Sequence, residues 1–419
     1  MKKIPLWASI LGGMLFGAVY VLVALTFGWQ DFTHDYIRPF GVVFVKLLKL
    51  MAMPLIFFSL VNGVAGLKDF SGLSKIGLKT VGLYVLTTFI AIVLGLSLAN
   101  VIQPGKYAHI DTERVVNAEI GEKLPAQNNP PLAFVENLVP DNIVKAASDN
   151  RNMLQVIFFS LLFGVALVKT GGEKSDMVLA FVKQVNEVIL KMIDIIMWYA
   201  PFGVFALIAD VVLSFSSDAS VADLFMSLVV YSLTVFFGLL MMILVVYPLL
   251  LKIFTGRSPY HFLRQLFPVQ LLAFSTSSSA ATLPLTMEIC EKKINISKEI
   301  SSFVLPIGAT VNMDGTSLYQ SVAALFIAQV YGIDLTLSAQ LTIVVTALLA
   351  SVGAAAVPGA GMVMLIIVLN SVGLPNEGIA VILAVDRLLD MMRTAVNVTS
   401  DATVAAIIDA THKNASLAQ

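Results

Sequence analysis

Long apolar runs dominate the chain, and they are interrupted in two different ways. Up to about residue 255 the runs lie near 5–28, 40–66, 80–103, 152–169, 188–215 and 223–253, separated by polar connections. A helix needs about 20 mostly apolar residues to cross hydrocarbon, and these runs are of that order. The one long polar insert, around 104–151 with Pro130-Pro131 and Pro140, reads as an extramembrane loop. Beyond about residue 260 small polar or Gly/Pro clusters fall where membrane depth is expected: Ser275 to Pro284, Gly308 to Thr316, and Ser351 to Gly361. Irregular backbone is tolerated in a bilayer only where protein buries it or where it lines a cavity. The first and third clusters are flanked by arms too short for two full crossings, as in re-entrant hairpins, and each is followed by a longer segment, 299–331 and 376–408. The pattern predicts an all-α integral membrane protein with eight transmembrane helices plus two re-entrant helical hairpins in inverted repeats. Paired interruptions of this kind mark a solute-binding site.

Composition agrees with the pattern and closes off other classes. Hydrophobic residues make up 58% and charged residues 13% of the 419 positions, against about half and about a quarter in soluble domains. A net charge of −1 argues against nucleic acid, which needs clustered basic residues. Cys290 is the only cysteine, and the four histidines (His34, His109, His261, His412) are scattered, so neither an intramolecular disulfide nor a metalloenzyme finds support. Lys2 and Lys3 before the run Ile4–Trp29 are read as the flank of a first spanning helix rather than a cleaved signal. Those lysines fall on the same side as Lys68, Lys75 and Lys79; Lys169, Lys174 and Lys183; and Lys252, Arg257 and Arg264. The outer connection Ser214–Ser220 has Asp218 and no basic residue. The positive-inside rule then places the N-terminus in the cytoplasm.

The chemistry is concentrated in the last third. Asp386, Asp390, Arg393, Thr394, Asn397 and Asp401 are spaced by four, three, one, three and four residues. At about 100° per residue they fall on one face roughly 100° wide. Ionised groups inside a membrane cost a few kcal/mol or more each and usually face a bundle interior or a wet cavity. One structural Asp–Arg pair would lock helices together, but this stripe holds surplus anions and an amide. It reads as a binding wall, with arginine forking a carboxylate, Asp390 taking an ammonium, and Asn397 and Asp401 taking a cation. The Gly308–Thr316 break complements it, because unwound carbonyls suit hard cations and Asp314 adds a full charge. Hairpin tips at Ser277–Ser279 and Val357–Gly361 would offer backbone amides and hydroxyls. Tyr84, Thr87 and Thr88 share a face of the third span, where hydroxyls commonly bond their own backbone; taken alone they read as packing.

These motifs resemble, in order and over essentially the whole chain, the dicarboxylate/amino acid:cation symporter family, the glutamate transporter homologues. The resemblance rests on the serine-rich hairpin ending in Thr282-Leu283-Pro284, on Asn312-Met313-Asp314-Gly315-Thr316, on Val357-Pro358-Gly359-Ala360-Gly361 and on the Asp390…Asp401 helix. It implies that Arg393 holds the substrate side-chain carboxylate and Asp390 the α-amino group, with Thr394, Asn397 and Thr316 completing the pocket. Ser277, Ser279, Val357 and Gly361 would supply hairpin contacts. For sodium it implies one site at Gly308, Asn312, Asn397 and Asp401, and a second at Thr310, Met313, Ser351, Val352 and Ala354. A third would be formed by Tyr84, Thr87, Thr88, Asn312 and Asp314, which replaces the packing reading. The chain departs from its relatives in the alanines of both hairpins. Where relatives carry a second arginine it has Ser277 and Met391, and where the animal carriers have a glutamate tied to proton coupling it has Gln320.

The resemblance further implies a sodium-driven symporter of L-aspartate and/or L-glutamate, not an enzyme, without a cofactor other than co-transported sodium. It implies a homotrimer in the cell (inner) membrane working by an elevator mechanism. Residues 1–76 would be scaffold helices, 77–104 a transport-domain helix and 105–151 the loop. Residues 152–255 would hold two scaffold helices and a transport-domain helix, and 256–419 the transport core. The rivals are a relative for C4-dicarboxylates or neutral amino acids, a proton-coupled carrier, and a channel. Asp390 argues against dicarboxylates, Arg393 against neutral substrates.

Overall fold

The computed structural model describes residues 6–65, 74–108, 139–149, 152–215, 221–352 and 360–417, and among them every regular element is helical. Lys2, Lys3, Lys68, Asp218, Pro130-Pro131, Ala354 and Val357 lie outside the described residues. Helices α1 (Leu6–Phe27), α2 (Arg38–Ala65), α3 (Ser74–Ile102), α4 (Met153–Thr170) and α5 (Gly172–Phe215) account for the first five apolar runs. Helix α6 (Val221–Met241) passes through a π-helical turn, Met242–Val246, into α7 (Tyr247–Thr255).

Two of these boundaries differ from the apolar runs. Only Gly171 separates α4 from α5, so the basic stretch read as a connection is helical and Lys183 rides on α5. Likewise α3 starts ahead of its apolar run, with Lys75 and Lys79 in its first turns. The physical reason is the same in both: a helix does not stop where hydrophobicity stops. Its backbone bonds continue until a capping residue or breaker intervenes.

The last third holds the broken elements. A first hairpin consists of α8 (Pro259–Thr276) and α9 (Ser279–Lys292), and a further pair of short helices is α12 (Leu337–Val352) and α13 (Ala360–Ser371), packed on each other. Between them α10 (Lys298–Val311) and α11 (Asp314–Val330) form one interrupted helix, and α14 (Ile379–Leu417) closes the chain. The helices of both pairs, 12 to 18 residues long, fall short of the ~20 a full crossing takes. The first hairpin turns at Ser277 and Ser278 alone. Ser277 caps α8 in the left-handed region (φ 50°), its N–H donating to the Ala273 carbonyl at 2.9 Å, and Ser278 accepts from the Ala281 N–H at 3.2 Å to start α9. The turn is thus a C-cap joined directly to a serine N-cap.

Among the described residues, four helical stretches (Gln30–Val64, Ile76–Tyr107, Ser175–Asp210, Phe225–Thr255) are long and apolar enough to cross a membrane, and four shorter apolar helices accompany them. Large apolar side chains such as Leu22, Phe40, Trp198, Leu233 and Phe267 stand exposed on this surface, which suits a lipid solvent. Helix α14 runs through the middle. It packs against both arms of the first hairpin, both halves of the broken helix, and α3, α6 and α7. From Leu389 to Asp409 all but Met391 and Met392 of its residues are buried. Its polar stripe therefore faces protein, and so does its apolar side. At the far end of α14, Asp409 accepts from the Ser297 N–H at 3.0 Å and from Lys413 at 2.7 Å, with Arg257 at 3.6 Å. One carboxylate thereby ties α14 to the start of α10 and to the segment leading into the first hairpin.

Candidate functional site

The interruption between α10 and α11 is narrower than its sequence suggested. Only Asn312 (φ −103°, ψ 99°) and Met313 (φ −123°, ψ 54°) leave the helix; Gly308, Thr310 and Thr316 remain helical. Two residues are enough, because the break brings a helix C-terminus and a helix N-terminus together with their unpaired carbonyls and amides. Asn397, from α14, caps the second: its Oδ1 accepts from the Gly315 N–H at 2.8 Å, while its Nδ2 reaches the Met313 sulfur at 3.2 Å.

Around this break polar residues form two groups. In the first, Asn312 Nδ2 donates to Asp401 Oδ1 at 2.8 Å, and Asn312 Oδ1 is buried without a partner among the described residues. A Cβ added to Gly308 would strike the Asp401 carboxylate and come within 2.5 Å of the Tyr84 hydroxyl. Glycine is needed here by close approach. Gly308→Ala is accordingly expected to push the Asp401 carboxylate aside and lower stability by about 1–3 kcal/mol, the usual cost of overpacking; a melting curve of the variant checks it.

In the second group, Asp314 accepts four hydroxyls. Thr87 (3.3 Å) and Thr88 (2.7 Å) donate to Oδ1, and Tyr247 (2.9 Å) and Ser400 (2.7 Å) to Oδ2. A buried carboxylate is tolerable only when so paired. Tyr84 stands beside the first group and donates to the Val304 carbonyl at 3.0 Å. Elsewhere, the hydroxyls of Thr310 (to Ile307 O, 3.0 Å) and Ser351 (to Leu348 O, 2.7 Å) are spent on their own helices.

One turn back along α14, toward its N-terminus, lies an ion-pair group. Arg393 is 0% exposed. Its Nη2 donates to Asp390 Oδ1 at 2.7 Å, its Nη1 lies 3.1 Å from Asp386 Oδ1, and its guanidinium stacks 3.9 Å over the Tyr319 ring. Arg393 Nε and Nη1 have no hydrogen-bond partner among the described residues. Thr394 donates to the Asp390 carbonyl at 2.9 Å. Gly361, at the start of α13, packs on this group: a Cβ there would meet Thr316 at 3.2 Å and Arg393 Nη1 at 3.4 Å. Gln320 Nε2 holds the Gly361 carbonyl at 3.4 Å. Ser277 and Ser279 are buried at the tip of the first hairpin, the Ser277 hydroxyl without a partner among the described residues.

The structure thus brings together Asp390, Arg393, Thr394, Gly361 and Thr316 on one side, and Asn312, Asn397, Asp401, Gly308 and Tyr84 on the other. Val357 and Ala354 fall outside the described residues, as does the side chain of Val352. Residues that sequence reasoning missed are Tyr247, Ser400 and Tyr319; Asp386, which the sequence leaves without a ligand role, is a supporting partner of Arg393. Ser400 carried a signal, since it lies only about 20° beyond the edge of the polar stripe. Tyr247 and Tyr319 carried none, because their roles depend on how helices pack.

A buried stripe of paired charges inside a bundle of apolar helices, with a short-armed hairpin and a broken helix beside it, defines a multi-pass membrane transporter. Residues 6–411 match the sodium:dicarboxylate symporter family, and the chain belongs to it. It is a family of transporters, not enzymes. The chain is 37% identical to the proton/sodium-glutamate symport protein of Geobacillus stearothermophilus, covering 97% of this chain and 94% of that one. It is 38% identical to the proton/glutamate-aspartate symporter of Escherichia coli (89% and 85%) and 37% identical to excitatory amino acid transporter 3 of Mus musculus (88% and 78%).

Proposed function

We propose that the protein is a sodium-coupled symporter of acidic amino acids, aspartate and/or glutamate. The observation that carries this reading is Arg393: fully buried, held by Asp390 through Nη2 and by Asp386 at 3.1 Å from Nη1, with Nε without a hydrogen-bond partner among the described residues. Such a guanidinium can fork a carboxylate while the neighbouring Asp390 receives an ammonium. The names of the relatives, which include glutamate, aspartate, protons and sodium, support the same substrate class.

Sodium would bind at Gly308, Asn312, Asn397 and Asp401, at the carbonyls of Thr310, Met313, Ser351, Val352 and Ala354, and beside Tyr84, Thr87, Thr88, Asn312 and Asp314. The unpartnered Asn312 Oδ1 is an acceptor of the right kind. Gln320, an amide where a proton-carrying acid would be needed, favours sodium over proton coupling. Thr316, Thr394, Asn397, Ser277, Ser279, Val357 and Gly361 would line the substrate. Cations order the broken helix that Asn397 caps, and Asn397 also faces the pocket, so sodium and substrate bind with positive coupling.

In this reading eight helices span the inner membrane with the N-terminus in the cytoplasm, and the two hairpins are re-entrant. Residues 1–76 and the first two helices of 152–255 form the scaffold of a homotrimer. Residues 77–104, the last helix of 152–255 and 256–419 move as the transport domain once the second hairpin closes. The test is uptake of labelled aspartate and glutamate into proteoliposomes, with sodium and proton gradients imposed separately. A sodium gradient alone is expected to drive uptake; uptake driven only by protons removes the coupling assignment, and sodium-independent flux would point to a channel.

A further inference from the structure

The ion-pair group has a member that the proposed function does not use. Arg387, one turn before Asp390 on α14, places Nη1 3.4 Å from Asp390 Oδ2, the oxygen that Arg393 leaves alone. Its side chain is 13% exposed, and its Nε is buried without a partner among the described residues. An arginine near the edge of a bundle ordinarily extends its charged head toward water or lipid headgroups. This one turns inward. Asp386, Asp390, Arg387 and Arg393 make two formal negative charges against two positive ones, all within two turns of one helix.

We propose that Arg387 is a specificity-determining residue, which sets how strongly Asp390 demands an ammonium and so how sharply the site separates amino dicarboxylates from dicarboxylates lacking an amino group. The inference rests on the substrate reading above. With Arg393 on one oxygen and Arg387 on the other, Asp390 is neutralised from within the helix. A substrate without an ammonium then leaves no unpaired buried anion, whereas an ammonium must share Oδ2 with Arg387. Removing Arg387 adds one net negative charge next to the pocket. A simple dicarboxylate carries two negative charges; an acidic amino acid carries the same two and a positive charge that meets Asp390. The added charge therefore penalises the first more than the second, whatever it does to both.

The full-length protein in proteoliposomes provides the test, with sodium-driven uptake of labelled aspartate inhibited by unlabelled aspartate or by succinate. In the wild type, succinate is expected to compete measurably. In Arg387→Gln the ratio of the succinate to the aspartate inhibition constant should rise about tenfold, and in Arg387→Lys it should return toward the wild-type value. Arg387→Met, of similar reach without charge, repeats the measurement if the glutamine variant is poorly produced, and equilibrium binding to solubilised protein gives the ratio independently of turnover. A purely structural role would raise both constants together and leave the ratio unchanged, which overturns the inference, as does absence of any succinate competition in the wild type. Failure of the wild type to take up any acidic amino acid is a different result: it removes the substrate reading itself.

Discussion

Replacing Arg393 by alanine is expected to abolish uptake of acidic amino acids. The side chain is fully buried between Asp386 and Asp390, over Tyr319. Removing one partner of such a group leaves uncompensated buried charge and costs about 3–5 kcal/mol, or roughly two to four orders of magnitude in affinity if the loss falls on binding. Because the same loss falls partly on folding, Arg393→Lys is the sharper variant. It keeps the positive charge between the two carboxylates but replaces a planar fork with a point charge. The lysine protein should elute from size exclusion like the wild type while its aspartate affinity falls at least tenfold. Unchanged aspartate affinity in a folded Arg393→Lys would rule out the carboxylate fork.

The polar stripe on α14 shows how far the sequence reaches. Its spacing identifies the residues and the face, because a 3.6-residue period is a local property of the chain. It does not say which pairs form. Asp386 looks like a spare carboxylate in sequence and proves to be an arm of the Arg393 ion pair. The break between α10 and α11 is legible from Gly308 to Thr316 as a weakness, yet the helix gives way only at Asn312 and Met313. What decides its limits is Asn397, 82 residues beyond Gly315, whose side chain caps the new N-terminus. Tyr247 donates to Asp314 from α7, and no local pattern announces such a partner. The helical ends at Lys75, Lys79 and Lys183 were missed for the opposite reason. Hydropathy measures the solvent around a helix, whereas caps and breakers determine its length.

The two buried carboxylates near the break are expected to respond differently to the same change, and that difference tests the sodium assignment. Asp314 has both oxygens engaged, each by two hydroxyls. An asparagine there offers one acceptor oxygen and two donors, so about two hydroxyls lose their partner at about 1–3 kcal/mol each. Asp314→Asn should therefore lower thermal stability as well as transport. Asp401 has one hydrogen bond, from Asn312 to Oδ1, and abuts a glycine whose side chain would overlap it. Asp401→Asn removes a formal charge while sparing most of the packing. The half-saturating sodium concentration should rise about tenfold or more, and aspartate affinity should fall at fixed sodium but recover as sodium is raised, because coupled ligands share one free energy of interaction. Sodium titrations of aspartate binding, run with melting curves on both variants, separate the two carboxylates. An Asp401→Asn protein whose aspartate affinity falls equally at every sodium concentration has lost substrate contact rather than a cation ligand, and the first sodium site would then have to be built without Asp401.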